Sequence, residues 1–331
     1  MPANLSPEYK KAEQAYRAAR EPRARLEALK EMLRSIPKHK GTEHLQADIK
    51  SRIKQLTDEL AGPKKAGARA AQFSVRREGA AQVCLVGPPN AGKSSLHAAL
   101  TGSHSEAGPF PYTTQSAVPG MLPFEDIAFQ LIDLPPVSRE HMEAGLMGVL
   151  QAADAAWLVV DLSDPACTEQ VIAIREELAR RKIVLDESWP ARAAEEAFQV
   201  RLPTLLVANK IDLDPDPDEV KVLEELLQIR YPAAAVSAST GQGLGELARF
   251  LFRSLGVVRV YTKVPGKPAD RQRPFAVRRG DRVLDVARLV HQDVAATLKY
   301  ARIWGSGEFD GQQVGPEHAL ADGDVLELHA R

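Results

Sequence analysis

The stretch Gly87-Pro88-Pro89-Asn90-Ala91-Gly92-Lys93-Ser94-Ser95 restricts the fold of this chain more than any other. It follows the apolar run Val83-Cys84-Leu85-Val86 and leads into Leu96-His97-Ala98-Ala99-Leu100. Strand, glycine-rich turn and helix are the setting in which a G-x-x-x-x-G-K-S pattern forms a phosphate cradle. Glycine lets backbone N–H groups converge on an anion, and the helix N-terminus adds the positive end of its dipole. Lys93 is placed to reach the β- and γ-phosphates, and the Ser94 hydroxyl to ligate Mg²⁺. A nucleotide-binding α/β domain follows.

The pattern beyond residue 80 fits such a domain, because short β-rich runs alternate with amphipathic helical ones. Strands are expected at 83–86, 121–124, 127–132, 156–161, 204–208 and 234–237, and helices at 93–101, 138–152, 168–182, 218–229 and 244–254. Residues 183–203, with Trp189-Pro190, read as a less regular insertion without an assigned role. After Gly256 the style changes to strands at 258–263 and 274–278, a helix over 283–298, and strands near 300–304 and 325–329. That order suits an α+β grasp around one helix.

The first 60 residues read as helical. Leu26, Leu29, Leu33 and Ile36 recur every three to four positions, as do Leu45, Ile49, Ile53, Leu56 and Leu60. Pro37 to Gly41 breaks the run and Thr42 can cap the next helix, which predicts a helical hairpin with Lys38, His39 and Lys40 at its tip. The domains expected are therefore a basic arm (1–62), a linker (63–79), an α/β nucleotide domain with a parallel-sheet core (80–256) and a small β-grasp domain (257–331).

Charge separates these parts. Residues 1–70 hold 16 Lys/Arg against 9 Asp/Glu, 71–257 hold 15 against 25, and 258–331 hold 12 against 10. A basic arm on an acidic core points to a polyanion met by the arm, or to a solvated basic helix face. In the small domain, Arg259, Lys263, Lys267, Arg271 and Arg273 form a basic run beside Tyr261. No apolar run nears the ~20 residues of a membrane span. The N-terminus lacks a signal-like apolar segment, and Cys84 and Cys167 lack metal-ligand spacing, so a reducing cytoplasm is expected.

Four further motifs follow the phosphate loop in the order guanine-nucleotide chemistry requires. In Pro111-Tyr112-Thr113-Thr114, about twenty residues after Lys93, a Thr hydroxyl can complete a Mg²⁺ shell while its N–H meets the γ-phosphate. Asp133 ends the run Ile127 to Ile132, where a Mg²⁺-bound water needs a carboxylate. Asn209-Lys210-Ile211-Asp212 follows the buried run Thr204 to Ala208. The Asp212 carboxylate only accepts, and so it matches the N1–H and 2-amino donors of guanine. Mispairing such buried groups costs about 1–3 kcal/mol each, enough to choose the base. Lys210 can pack on the purine face and Asn209 can tie its loop to the phosphate loop. Ser237-Ala238-Ser239 offers backbone N–H groups to guanine O6.

These residues resemble the Obg-like branch of translation-factor-type GTPases, and within it the developmentally regulated GTP-binding protein (DRG) family. The loop GPPNAGKSS, the helical IPKHKGTEHLQADIKSRIKQL, and the C-terminal VRVYTKVPGKPAD, KYARIWG and VGPEHALADGDVLELHA carry the resemblance. The last group is similar to the family's TGS domain, a ubiquitin-like β-grasp. The resemblance implies GTP hydrolysis to GDP and phosphate, association with ribosomes or RNA through the arm and TGS domain, and an accessory protein partner. It also implies that Ser94 and Thr114 are the Mg²⁺ ligands, and that Asn90 either helps coordinate K⁺ or only stabilises its loop.

Departures matter as much. The family's insertion is reduced to 183–203, and Lys64 to Gly79 replace its glycine-rich stretch. Asp133-Leu134-Pro135-Pro136 places Pro where the D-x-x-G motif has Gly, and Val137 stands where other GTPases carry a water-orienting Gln. Pro has no N–H and fixes φ near −65°, so one γ-phosphate hydrogen bond is lost and the loop is stiffer. The expectation is a slow GTPase that discriminates weakly between GTP and GDP. The alternative is a nucleotide-stabilised RNA-binding module, with a GTP-using biosynthetic enzyme a distant third.

Overall fold

A computed structural model of the protein describes residues 6–19, 21–37, 42–60, 75–103, 116–137, 145–191, 198–213, 218–228 and 230–330. The chain divides into two compact units, Met1–Ser74 and Val75–Arg331.

The first unit contains three helices among the described residues, α1 (Pro7–Ala18), α2 (Pro22–Ser35) and α3 (Glu43–Leu60), where the sequence suggests a two-helix hairpin. The extra break has a local cause. Glu21 is extended (φ −84°, ψ 134°) ahead of Pro22, because the proline ring disfavours a helical residue before it. Ser6 caps α1 by accepting from the Tyr9 N–H, and its hydroxyl donates to the Ser35 carbonyl at 3.0 Å, tying the start of α1 to the end of α2. Tyr9, Leu26, Leu29, Met32 and Ile49 form the buried face. The hairpin tip at 38–41 and the linker at 61–74 lie outside the described residues.

The second unit is built on two sheets. The larger comprises β1 (Gln82–Val86), β2 (Val118–Phe124), β3 (Ile127–Asp133), β4 (Ala155–Asp161), β5 (Ile183–Asp186), β6 (Val200–Asn209) and β7 (Ala233–Ala235). Its order is β2-β3-β1-β4-β6-β5, with β7 also on β6, and all pairings are parallel except that of β2 with β3. Helices α4 (Lys93–Thr101), α5 (Leu146–Ala152), α6 (Cys167–Arg180), α7 (Glu219–Leu227) and α8 (Gly245–Ser254) accompany it. β1 and β4 are buried almost throughout and read as near-continuous apolar runs, as expected for a sheet covered on both faces.

The segment read as an irregular insertion holds β5, which pairs parallel with the first half of a ten-residue β6. The buried Asp186 carboxylate receives Arg201 Nε at 2.6 Å, an ion pair between these two strands. Trp189 packs edge-on to Phe250 with ring centroids 5.0 Å apart, and its indole N–H donates to the Thr204 carbonyl. Four residues of β-branched and apolar character were too short a signal to separate from loop.

The smaller sheet has the order β11-β10-β12-β8-β9, formed by β8 (Val257–Thr262), β9 (Asp270–Arg278), β10 (Leu298–Trp304), β11 (Gln312–Val314) and β12 (Asp324–Ala330). β12 runs parallel to β8, and α9 (Val283–Val290) buries Val283 and Val286 against Val258, Val260, Ile303 and Leu326. The helix expected over 283–298 is interrupted. His291 is extended (φ −168°, ψ 146°), and its ring nitrogen accepts from the Asp293 N–H to start a second helix, α10 (Gln292–Thr297).

Asp154 joins the two sheets. It accepts from the Gln82 N–H at 2.7 Å, pairs with Arg77, and lies 3.2 Å from the Arg278 guanidinium of β9. Burial works to raise its pKa, but Arg77, Arg278 and the Gln82 N–H outweigh burial and hold it below the ordinary 3.8. Its stabilising contribution is therefore complete above that pH and lost as pH falls through the depressed value. Asp154→Asn is expected to cost about 2–3 kcal/mol at pH 7, less than the loss of a fully buried partner. Urea unfolding of the two proteins should converge below pH 3.8.

Candidate nucleotide-binding site

The carboxyl ends of β1, β3, β4 and β6 lie side by side, with Leu85 opposite Asp133 and Asp161 opposite Asn209. Open parallel sheets bind ligands at this edge, because loops leaving adjacent strands there diverge and helix N-termini point inward. The phosphate loop occupies the position after β1. Gly92 closes it in the left-handed region at φ +85°, and a Cβ there would fall 2.3 Å from Asn209 Nδ2. At Gly87 a Cβ would fall 2.3 Å from the Val159 carbonyl oxygen. Both glycines are thus required by close approach as well as by the turn.

Lys93 is only 5 % exposed, and its ammonium donates to the carbonyls of Gly87 at 3.1 Å and Pro88 at 2.8 Å. Burial pushes its pKa down to about 8, with the Asp133 charge opposing the shift. The ammonium is held inside its own loop by carbonyl dipoles with the Asp133 charge nearby, and a phosphate placed there would add counter-charge. Ser94 Oγ donates to Asp133 Oδ2 at 2.6 Å, so the hydroxyl and carboxylate assigned to Mg²⁺ chemistry converge. An all-oxygen donor set with room for phosphate oxygens and waters fits Mg²⁺, which seldom takes an all-protein cage. Pro136 and Val137, which follow Asp133 in the chain, are also buried. Asn90, at φ +61°, and Ser95 are exposed, whereas Pro88 and Ala91 are buried and Pro89 is half-buried.

The base side is formed by β6 and the loops after β6 and β7. Asn209, buried at the end of β6, donates from Nδ2 to the Ala91 carbonyl at 3.0 Å and accepts from the Ala238 N–H at 3.0 Å. One amide therefore fastens the base loop to the phosphate loop. Lys210 adopts φ +66°, and its ammonium donates to Asp161 Oδ2 at 2.7 Å. Asp212 accepts from Ser237 Oγ at 2.6 Å and Ser239 Oγ at 2.9 Å, and these hydroxyls hold its carboxyl below the usual range.

Gly87 to Ser95, Asp133, Asn209, Lys210, Asp212 and Ser237 to Ser239 are thus gathered at one sheet edge. Tyr112, Thr113 and Thr114 lie outside the described residues. Asp161, the partner of Lys210, escaped sequence reasoning, although an acidic residue ending the apolar strand Ala155 to Val160 was the available signal. In the small domain the basic run divides. Arg259 and Lys263 are engaged by carboxylates, Lys263 by Glu327 at 3.4 Å, whereas Lys267, Arg271 and Arg273 are exposed. Spacing alone does not show which charges a neighbouring strand has claimed.

Fold and site define a P-loop GTPase domain followed by a β-grasp domain. The family described as 50S ribosome-binding GTPase matches residues 82–210, and the TGS domain family matches 258–330. Developmentally-regulated G-protein 1 of Arabidopsis thaliana is 26% identical, over 92% of this chain and 90% of its own length. Ribosome-interacting GTPase 1 of Saccharomyces cerevisiae is also 26% identical, over 92% of this chain and 98% of its own. A GTP-binding protein from Pyrococcus horikoshii shares the fold, with TM-score 0.52 and 17% identity over 76% of this chain and all of that one. The chain thus carries a GTPase domain followed by a TGS domain, and over most of its length it is similar to proteins named developmentally-regulated G-protein and ribosome-interacting GTPase. Among the described residues no helix is long and apolar enough to cross a membrane.

Proposed function

We propose that this protein hydrolyses GTP slowly to GDP and phosphate in the cytoplasm and acts during ribosome or RNA engagement. In this reading residues 1–62 form an RNA-facing arm, 63–79 a linker, 80–256 the GTPase and 257–331 the TGS domain. The observation that carries the enzymatic half is the convergence of Lys93, Ser94 and Asp133, with Ser94 and Asp133 2.6 Å apart. Phosphoryl transfer asks little covalent chemistry of the protein, and positioned positive charge supplies most of the catalysis. Lys93 holds the β/γ-phosphates, Ser94 and Thr114 hold Mg²⁺, Asp133 orients its water, and Asn90 is a candidate K⁺ ligand. Mg²⁺ contributes charge neutralisation at the transferring phosphate. The slow rate follows from Pro136 and Val137, which offer neither a backbone donor nor a water-orienting side chain.

The partner half draws on the arm's charge, with Lys10, Lys11, Arg23, Lys50 and Lys54 exposed, and on the similarity to the ribosome-interacting GTPase of yeast. Pro136 also favours a second reading, a nucleotide-stabilised RNA-binding module with little hydrolysis. Phosphate release with and without ribosomal particles decides between them. Slow release that rises with particles supports the enzyme, and none in either condition supports the module. Co-sedimentation with ribosomes should weaken with salt and on deletion of residues 1–62, because phosphate contacts release counterions.

A further inference from the structure

The strands flanking the γ-phosphate region form one hairpin, and its turn is gripped by the TGS domain. β2 and β3 pair in unbroken register from Val118 opposite Asp133 to Phe124 opposite Ile127. Glu125 and Asp126 make the turn, Glu125 at φ +51°. Arg259, on β8, donates from Nη1 to the Glu125 carboxylate and to Asp126 Oδ1 at 3.1 Å, and the Tyr261 hydroxyl donates to Asp126 Oδ2. The other edge of the Arg259 guanidinium is fixed to Asp322, with Nε 3.0 Å from Oδ1 and Nη2 2.7 Å from Oδ2. Its face lies 5.0 Å from the ring centroid of Phe252 on α8, and Phe252 in turn packs on Phe124 of the hairpin at 5.2 Å. One face and both edges of the guanidinium are engaged, and the Arg259 side chain is 18% exposed.

We infer that Arg259 and Tyr261 are positioning residues for the Mg²⁺–nucleotide site: by pinning the hairpin turn they set where β3 presents Asp133 to Ser94. A fully hydrogen-bonded two-stranded ribbon is stiff along its length. At about 3.3 Å per residue, the seven steps from Asp126 to Asp133 carry a displacement of the turn roughly 20 Å to the nucleotide edge. Lysine at 259 could not reproduce this grip, because the guanidinium fork meets three carboxylates while its plane stacks on a ring. The coupling is reciprocal, so a ligand that shifts β8 alters nucleotide retention, and nucleotide alters affinity at the TGS domain by the same factor.

The inference rests on the reading of Ser94 and Asp133 as the Mg²⁺ pair, and the experiment separates the two. Release of a fluorescent GDP analogue from the full chain is measured across Mg²⁺ concentrations for wild type, Arg259→Ala, Tyr261→Phe and Arg278→Ala. Arg278 lies at the same junction, where its guanidinium meets Asp154 and the Leu255 carbonyl. The Mg²⁺ concentration giving half-maximal retention should rise about tenfold in Arg259→Ala and about threefold in Tyr261→Phe, because only part of the hydrogen-bond energy lost at the turn reaches the far end of β3. Arg278→Ala should melt earlier with its Mg²⁺ dependence unmoved. In the nucleotide-free proteins, backbone amide exchange at 127–133 should quicken in the first two variants only. A wild type whose GDP release ignores Mg²⁺ sinks both the Mg²⁺ reading and the inference. A Mg²⁺-dependent wild type with unshifted Arg259→Ala and Tyr261→Phe, or an equal shift in Arg278→Ala, overturns the inference alone.

Discussion

Asp212→Asn should weaken GDP binding by about 100-fold or more and turn the preference toward the xanthine nucleotide. In the wild type the Ser237 and Ser239 hydroxyls, 2.6 and 2.9 Å away, keep the carboxyl ionised at neutral pH and therefore acceptor-only. Guanine presents two donors to it, N1–H and the 2-amino group. Each hydrogen bond to a charged acceptor is worth about 1.5–3 kcal/mol, so losing the pair accounts for a factor of 100 at its lower bound. The Asn amide can turn only one oxygen to the base and sets its NH₂ against the guanine amino group. Xanthine carries a carbonyl there, which the same NH₂ satisfies. Parallel titrations with fluorescent GDP and XDP read the exchange directly, and unchanged GDP affinity would remove Asp212 from the base site. The fold should survive the change, since Asp212 sits on an exposed single turn (Ile211–Leu213) and no core contact depends on it.

Pro136→Gly should raise the preference for GTP over GDP by about 10- to 100-fold, the worth of one hydrogen bond to a charged phosphate oxygen. Position 136 follows Asp133 by three residues on a buried segment, Leu134 to Val137, and in the wild type it can donate nothing. Glycine restores the N–H and the freedom of φ with which a loop can close on the third phosphate. Single-turnover hydrolysis should quicken in the same variant. Paired GTP and GDP affinities for wild type and Pro136→Gly provide the measurement. A wild type that already prefers GTP strongly and hydrolyses it fast would defeat this account. The fold should be destabilised by about 2–4 kcal/mol, because glycine loosens the unfolded chain and the buried proline ring is lost.

The Lys93 side chain, like others at this edge, has partners inside the protein. Its ammonium is turned onto the carbonyls of its own loop, Lys210 is held by Asp161, and Asp212 by two serines. Each of these groups has a protein partner that a nucleotide would have to replace. Nucleotide therefore exchanges one set of polar contacts for another, and the net affinity is set by the difference between them and not by the sum of the new bonds.

The nucleotide site was legible because its chemistry is local. Gly87 to Ser95 lie within nine consecutive residues whose strand–turn–helix context the apolar pattern also announces. Asn209 to Asp212 stand at the end of a buried strand in the same way. At such places a residue type, its spacing and the element carrying it arise from one short stretch, and one reading captures all three. Pro136 belongs here too, since the absence of an N–H is a property of the residue itself.

What only the tertiary structure decided involves partners far apart in sequence. Arg259 reads as one cation in a basic run, yet its carboxylate partner Asp126 is 133 residues away and claims it for the β2–β3 hairpin. β5 is four residues long, and its identity as a strand rests on β6 supplying the ladder and Arg201 the counter-charge to Asp186. The break at His291 depends on a cap formed by its own ring in a backbone that the apolar periodicity passes straight through. Local preferences name the elements that can form and the chemistry they can carry. Which charges are neutralised, and which elements are mechanically joined, follows from long-range packing, because burial turns a solvated side chain into one that must find its counter-charge within a few ångströms.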